Sequence, residues 1–277
     1  MVKVNNEIYM IQGKGGNIGL SFGDDGIFMI DDQYAEGIQH IQKEIKKISD
    51  KPVQFLLNTH FHGDHTGGNV GMAANGTVIL SQENVRARLL ETIESEKKRI
   101  SEKSLPIITF SNDLNFYFNS EKIYIFHVHN AHTDGDAMVY FTESNVLHTG
   151  DVFFNGKYPY IDTQNGGSLT GSIHAMGRAL MIINEDTKII PGHGDVGTFQ
   201  NLLKTKEMLE ITYKKVAEQY LLNKTESEVI AMNDLTNLYD EKGYGDGFIK
   251  RDAFIKMLYA EFKKERSTSE SSEEKNK

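Results

Sequence analysis

The chain has 277 residues, of which 25% are charged and 39% are hydrophobic, and its formal net charge at pH 7 is −9. This composition is typical of a globular protein with one large domain or two small ones, and it gives no basis for global disorder. It lacks the basic footprint of a nucleic-acid binder, and the absence of cysteine excludes disulfides, thiolate metal sites and cysteine nucleophiles.

The first part of the chain alternates strand and helix signals. Three short apolar runs separated by glycines, at 7–11, 17–22 and 26–31, predict successive strands of a meander. Isoleucines then recur at three- and four-residue spacing over 38–48, which is typical of one face of an amphipathic helix. A short buried strand is predicted at 53–57, and a histidine-rich motif begins where it ends.

The same alternation repeats further along the chain. The predicted elements are strands at 77–80, 122–129, 137–142, 145–150 and 187–194, and helices at 82–100 and 171–183. The chain thus contains the same order of elements twice: several strands, then a helix, then a strand that ends in a segment rich in His and Asp. This arrangement predicts two α/β halves that face each other, sheet against sheet, with helices outside.

The final part of the chain changes character. Long apolar-faced helices are predicted at 199–224 and 252–262, and the remaining residues are polar and of low complexity. We therefore divide the chain into a domain over 1–197, a helical region over 198–264 that packs on it, and a disordered tail over 265–277.

The stretch THFHGDHTGGN (59–69) crowds His60, His62, Asp64 and His65 together. Neutral imidazole and carboxylate ligands suit zinc, and imidazole also suits iron. Without a metal, this crowding would bring no gain in packing, so it predicts a metal site. At a spacing of two in an extended or turning segment, His60 and His62 point the same way and can hold one ion.

Three more candidate ligands follow predicted strands: His132 in NAHTDGD, Asp151 in HTGD and His193 in PGHG. Each lies beside small residues, a setting in which a strand end presents a side chain into a shared cleft. We expect His132 to complete a three-histidine site. We expect His193 to join Asp64 and His65 at a neighbouring ion, and Asp151 could offer one oxygen to each ion. Two metals about 3.5–4 Å apart form the usual geometry for activating a bridging water.

The motifs THFHGDH, AHTDGD, HTGD and PGHG, in this order, resemble the metal motifs of the metallo-β-lactamase-fold hydrolases. FMIDD also resembles the early strand-end aspartate of that family, which Asp31 matches. The resemblance covers roughly residues 7–197 and is specific for the fold and the dinuclear site, but not for the substrate. It implies an α/β fold: an αββα sandwich of two facing mixed sheets with outer helices, plus C-terminal helices.

The resemblance also implies a role for each matched residue. The first metal site would be His60, His62 and His132, the second Asp64, His65 and His193, and Asp151 would bridge them. Asp31 would orient the ligand loop, as outer partners of metal ligands do. We expect two Zn²⁺ ions per chain, with iron or manganese as alternatives. Zinc lowers the pKa of a bound water to around 7, and Asp64 would be the acid/base residue that accepts the proton of the attacking water.

At some ligand positions this sequence differs from particular branches of the family, and these differences reduce the number of candidate functions. β-Lactamases with a cysteine ligand are excluded, and those with only histidines typically lack an aspartate at the position of Asp151. That aspartate resembles the glyoxalase II, lactonase and sulfatase-type branches, and His62 stands where the flavodiiron branch carries Glu. The leading hypothesis is hydrolysis of an ester, lactone, thioester or amide. The alternatives are β-lactam hydrolysis, including as a side activity, an iron-dependent persulfide dioxygenase, and a non-catalytic member.

The aromatic stretch after Asp151 is a candidate wall of the substrate pocket. It contains Phe153, Tyr158 and Tyr160, with ordinary packing as the alternative interpretation. We expect a small-molecule substrate and neither nucleic acid nor membrane as a partner, and the oligomeric state stays open. The first residues lack the apolar core of a signal peptide. This predicts a soluble protein, cytoplasmic as the sequence stands and periplasmic or otherwise exported if a signal peptide was removed.

Overall fold

The strands of the protein form two mixed sheets in a computed structural model that describes residues 1–95 and 102–275. The first sheet contains, in spatial order, β1 (Val2–Asn5), β2 (Ile8–Ile11), β3 (Ile18–Gly23), β4 (Gly26–Ile30), β5 (Val53–Asn58), β6 (Val78–Gln82) and β7 (Ile108–Phe110). Neighbours from β1 to β4 are antiparallel, and neighbours from β4 to β7 are parallel.

The second sheet contains β8 (Asp113–Phe118), β9 (Glu121–His127), β10 (Ala137–Phe141), β11 (Val146–His148), β12 (Lys188–Ile190) and β13 (Gly197–Thr198) in sequential order. Only β11 and β12 pair in parallel among its described strands. The α-helices of the described residues are α1 (Ile38–Lys46), α2 (Gly63–Thr66), α3 (Asn69–Ala74), α4 (Glu83–Ser95), α5 (Leu169–Ile182), α6 (Phe199–Leu221), α7 (Glu226–Ile230), α8 (Asn237–Asp240) and α9 (Arg251–Lys275).

The two sheets pack face to face, because the side chains on their inner faces are apolar. Phe28 and Leu57 of the first sheet belong to one buried cluster with Ile125 and Val139 of the second. Helices α1 and α3 pack on the outer face of the first sheet, and α5, α6 and α9 pack on that of the second. The predicted αββα sandwich with additional C-terminal helices is therefore confirmed.

The C-terminal helices share the hydrophobic core of the second sheet. Leu209 of α6 and Phe254 of α9 are buried in the same cluster as Phe126 and Leu147 of the sheet. Helix α6 begins with a capping box, in which Thr198 accepts from the backbone N–H of Asn201. A domain boundary at residue 197 stays a prediction, since this core includes residues from both sides of it.

Several predicted elements differ from the structure at their ends. The strand predicted to reach residue 150 ends at His148, because Gly150 has a positive φ of 51° and starts a turn. Helix α4 ends at Ser95, and the rest of the helix predicted there lies outside the described residues. Helix α9 runs to Lys275, so the prediction of a disordered tail from residue 265 is wrong over its described part. Extending an existing helix costs little when Glu, Lys and Arg are frequent.

No helix in the described part of the chain combines the length and the apolar character that crossing a bilayer requires.

Candidate metal centre

The seven candidate ligands lie on segments that leave neighbouring strand ends. Strand β5 ends at Asn58, His60 lies in the bend that follows it, and His62 has extended backbone directly before α2. Asp64 and His65 lie on α2 itself. The remaining candidates follow β9, β11 and β12 and are His132, Asp151 and His193. Since these strand ends meet at one edge of the sandwich, side chains distant in sequence converge there.

The first group is the predicted three-histidine set. One ring nitrogen from each of His60, His62 and His132 lies within 4.8 Å of the others. Nδ1 of His62 is 3.0 Å from Nε2 of His132. His62 therefore presents Nδ1 to the group, whereas His132 presents Nε2.

The second group contains Asp64, His65 and His193, whose ligand atoms also lie within 4.8 Å of one another. Oδ2 of Asp64 is 3.6 Å from Nε2 of His65 and 3.4 Å from Nε2 of His193. The side chain of Asp64 keeps 22% of its exposure, whereas that of His65 is fully buried. The side chain of His193 keeps 32% exposure, so two of the three members of this group are open to solvent.

Asp151 lies between the two groups. Its Oδ1 is 3.0 Å from Nε2 of His65, and its Oδ2 is 3.7 Å from Nε2 of His132 and 3.4 Å from Nε2 of His193. A carboxylate in this position faces both groups at once. The structure thus brings together all seven residues singled out in the sequence, and their roles as ligands stay predictions.

Several buried atoms of the cluster lack a hydrogen bond. One of these atoms is Nε2 of His60. The other two are Nε2 of His65 and Oδ1 of Asp151, which lie 3.0 Å apart without forming a hydrogen bond. A buried polar atom without a partner costs about 1–3 kcal/mol, and such atoms need an explanation. A cation in the cluster would supply it, and a donor set of imidazoles and carboxylates suits zinc.

The charge states of the histidines differ with their surroundings. Burial lowers the pKa of His60 well below its ordinary value and that of His132 to about 4, so both are neutral, the form that binds metal. Burial opposes protonation of His193, but contacts with Asp151 and Asp64 outweigh it and raise its pKa to about 9. The same carboxylates that hold a proton in this cluster can therefore hold a metal cation in its place.

Asp31 supports the ligand loop from beneath. Its carboxylate accepts hydrogen bonds from the backbone N–H of Thr59 at 2.7 Å and from the hydroxyl of Thr59 at 2.7 Å. Oδ2 of Asp31 also lies 2.7 Å from Nδ1 of His65. A hydrogen bond from Nδ1–H leaves the lone pair of Nε2 of His65 directed at the cluster, which is the orienting role predicted for Asp31.

The sequence profile of the metallo-beta-lactamase superfamily matches residues 12–193, more than half of the chain. The chain belongs to this superfamily. A curated relative, the hydroxyacylglutathione hydrolase of Pelagibacter ubique (strain HTCC1062), is 30% identical over 154 residues, or 54% of this chain and 56% of the relative. The aligned part thus spans about half the length of that relative.

Solved structures of the superfamily have the same fold. The metallo-beta-lactamase from Pontibacter korlensis aligns with a TM-score of 0.61 and 19% identity over 73% of this chain and 93% of that chain. The DIM-1 metallo-beta-lactamase aligns with a TM-score of 0.61 and 18% identity over 76% of this chain and 95% of that chain. A double mutant of the sec-alkyl sulfatase PisA1 aligns with a TM-score of 0.72 and 14% identity over 93% of this chain and 49% of that chain. At these identities the likeness concerns the fold alone.

Two contacts on the outer side of the candidate ligands were not predicted from the sequence. Nε2 of His62 lies 2.9 Å from Oδ2 of Asp162. Nδ1 of His132 lies 2.8 Å from the carbonyl oxygen of Tyr160, which can only accept. Residues 160–162 therefore contact His62 and His132 at the ring nitrogens that do not face the cluster. The available signal was Asp162, a carboxylate in the aromatic stretch that follows Asp151, of which only the aromatic residues are predicted to line the pocket.

The predicted pocket residues have different positions. The ring of Tyr160 lies 6.0 Å from that of His62 and 5.7 Å from that of His132, so it adjoins the cluster. Phe153 and Tyr158 are buried in the core, which corrects their assignment to the pocket wall. The hydroxyl of Tyr158 donates to Asp240 at 2.7 Å.

An aromatic residue next to Phe153 occupies the site instead. The ring of Phe154 stacks on that of His193 with centroids 5.0 Å apart. Phe153 has an extended backbone, and neighbouring side chains in extended backbone point to opposite sides. One of the two phenylalanines therefore enters the core while the other faces the ligand cluster.

Proposed function

We propose that this protein is a dinuclear zinc-dependent hydrolase that cleaves an ester, lactone, thioester or amide bond of a small-molecule substrate. The observation that carries the proposal is the position of Asp151 between two complete ligand groups. One carboxylate that faces both groups favours two ions over one. The name of the Pelagibacter relative, a hydroxyacylglutathione hydrolase, supports cleavage of a bond next to an acyl carbon.

The ligand cluster determines which residues would hold the ions. His60, His62 and His132 would hold one ion, and Asp64, His65 and His193 the other, with Asp151 shared. When bound, zinc supplies Lewis acidity, which makes a water more acidic and polarises the oxygen of the scissile bond. Asp31 and Asp162 keep His65 and His62 in the orientations that direct their free nitrogens into the cluster.

Asp64 is the residue that we assign to proton transfer. Its side chain retains 22% exposure, whereas that of Asp151 retains 6%, so a proton on Asp64 can reach solvent or a leaving group. Burial raises its pKa, but the contacts with His193 and His65 together outweigh burial and lower the pKa below its ordinary value. Asp64 is therefore ionised at neutral pH and able to accept a proton.

The test is a hydrolysis panel on zinc-loaded protein, together with element analysis. The panel contains esters, lactones, thioesters, phosphoesters and β-lactams, and we expect turnover of a carboxylic acid derivative with two zinc ions per chain. Chelation should abolish turnover, and zinc should restore it. Asp64→Ala should be inactive, and the exposed Asp186→Ala serves as the matched control. One iron per chain with oxygen-dependent consumption of a persulfide, or no turnover in the panel, would refute the proposal.

A further inference from the structure

A cavity of about 840 Å³ lies beside the ligand cluster. Pockets of roughly 300–1,000 Å³ are those that take drug-sized ligands. His62, a candidate ligand of the first ion, and Gly63 form part of its wall. A β-carbon built at Gly63 would meet no atom within 4 Å, which shows open space at this position. The cavity and the metal centre therefore adjoin, with His62 common to both.

The walls of this cavity come from separate elements and are mainly apolar. Its larger apolar side chains are Ile38 of α1, Phe61, Val70 of α3, Leu89 and Ile93 of α4, and Leu105. The other lining residues are small or uncharged, apart from His62, and none of the described lining residues is Asp, Glu, Lys or Arg. Among these described residues a phosphate or carboxylate would find no charged partner, whereas a hydrocarbon chain would lose its contact with water.

We propose that this cavity binds an aliphatic chain of the substrate, so that the enzyme prefers amphipathic carboxylic acid derivatives over short-chain ones. The inference rests on the proposed hydrolytic function, because it places the scissile bond at the ligand cluster and the chain past His62. The polar end of the substrate then lies at the ligand cluster, and its apolar end lies in the adjoining apolar cavity. Burying each methylene strengthens binding about fourfold, which corresponds to ~0.8 kcal/mol.

Val70 is the position at which the cavity can be filled. It lines the cavity and keeps 49% exposure, so Val70→Trp adds volume without replacing a core residue. Ile211 of α6 is the matched control, because it is also β-branched, helical and 48% exposed, but it does not line the cavity. Unfolding midpoints of both variants show whether either substitution disturbs the fold, and Val70→Phe is the smaller substitute if Val70→Trp does.

The first measurement is kcat/KM for p-nitrophenyl esters from acetate to decanoate, with alkyl acetates as a second series in which the alcohol varies. In the wild-type protein and Ile211→Trp we expect kcat/KM to rise by about fourfold per methylene in at least one series. In Val70→Trp the rise with chain length should disappear. A flat dependence on chain length in both series, or an equal slope in a folded Val70→Trp, would overturn the proposal.

The second measurement does not depend on hydrolysis. Binding of dansyl-undecanoic acid to the chelator-treated protein is followed by fluorescence, with wild-type protein, Val70→Trp and Ile211→Trp compared. Loss of binding in Val70→Trp alone supports the cavity even if no ester is hydrolysed, in which case only the proposed function fails. Equal binding by all three proteins, or by none, overturns the assignment of the cavity.

Discussion

His62 is held between a candidate metal site and a buried carboxylate. Its Nε2 lies 2.9 Å from Oδ2 of Asp162, and its Nδ1 points towards the ligand cluster. A neutral imidazole has one N–H and one lone pair, so a hydrogen bond from Nε2–H to Asp162 leaves the lone pair on Nδ1. Asp162 thus selects the tautomer of His62 that can bind a metal.

The first prediction concerns this contact. Asp162→Asn offers an amide N–H to His62, which favours the tautomer with its proton on Nδ1. We expect the affinity of the first site for zinc to fall by about 10- to 100-fold, measured by competition with a chromophoric chelator. Asn165→Ala is the control, because it removes another hydrogen bond to Asp162 but leaves His62 in place. Equal affinities for Asp162→Asn and wild type would show that Asp162 does not orient the ligand.

The second prediction separates the roles of Asp151 and Asp64. Asp151→Ser should reduce the metal content towards one ion per chain, because the oxygen shared between the two groups is lost while the three-histidine set is retained. Asp64→Ala should reduce turnover further, because it removes a ligand and the assigned proton acceptor together. Element analysis beside kinetics tests this order of activity, from wild type through Asp151→Ser to Asp64→Ala. Two tightly bound metals and full activity in Asp151→Ser would contradict the bridging role.

The third prediction uses glycines that touch the cluster. A β-carbon at Gly192 would lie 2.1 Å from Oδ1 of Asp151, and one at Gly16 would lie 2.0 Å from the ring of His65. Gly192→Ala and Gly16→Ala should therefore displace these ligands and lower the metal content. Gly63→Ala is the control, since a β-carbon there meets nothing within 4 Å. Metal content equal to wild type in all three variants would show that the ligand positions adapt at no cost.

The convergence of the candidate ligands was predictable from the sequence because the signals of the first motif are local. One short stretch shows both the end of a buried strand and, directly after it, four residues of metal-binding types: His60, His62, Asp64 and His65. The contact of His62 with Asp162 spans 100 positions and depends on the path of a loop, which spacing does not encode. For the same reason the sequence could not show which aromatic residues of that loop enter the core.

The sequence analysis predicts no strand at residues 113–118, where the structure has β8, and the cause is different. Strand β8 (Asp113–Phe118) alternates between exposed and less exposed side chains, with Asp and Asn among its residues. Its pattern is therefore weaker than that of strands such as β4, which is buried throughout. Strand β8 lies at the edge of its sheet and is stabilised by pairing with β9. Because this pairing is a tertiary interaction, the local sequence of β8 does not reveal it.

The last prediction tests whether the C-terminal helices belong to the catalytic core. Phe254 of α9 is fully buried and stacks on Tyr158, with ring centroids 4.2 Å apart, and Tyr158 lies on the N-terminal side of the predicted boundary. Phe254→Ala should lower the free energy of unfolding by about 3–5 kcal/mol, the usual cost of a large cavity in a core.

Phe248 provides the matched control for this substitution, since it lies six positions earlier and is 84% exposed. Phe248→Ala should change the free energy of unfolding by less than about 0.5 kcal/mol, as surface substitutions usually do. Denaturant unfolding, followed by both circular dichroism and zinc release, measures the two variants. One cooperative transition that moves to lower denaturant in Phe254→Ala, with zinc released in the same transition, means that the helices and the metal centre unfold together. If zinc release keeps its wild-type midpoint while helicity is lost earlier, residues 198–264 form a separate folding unit.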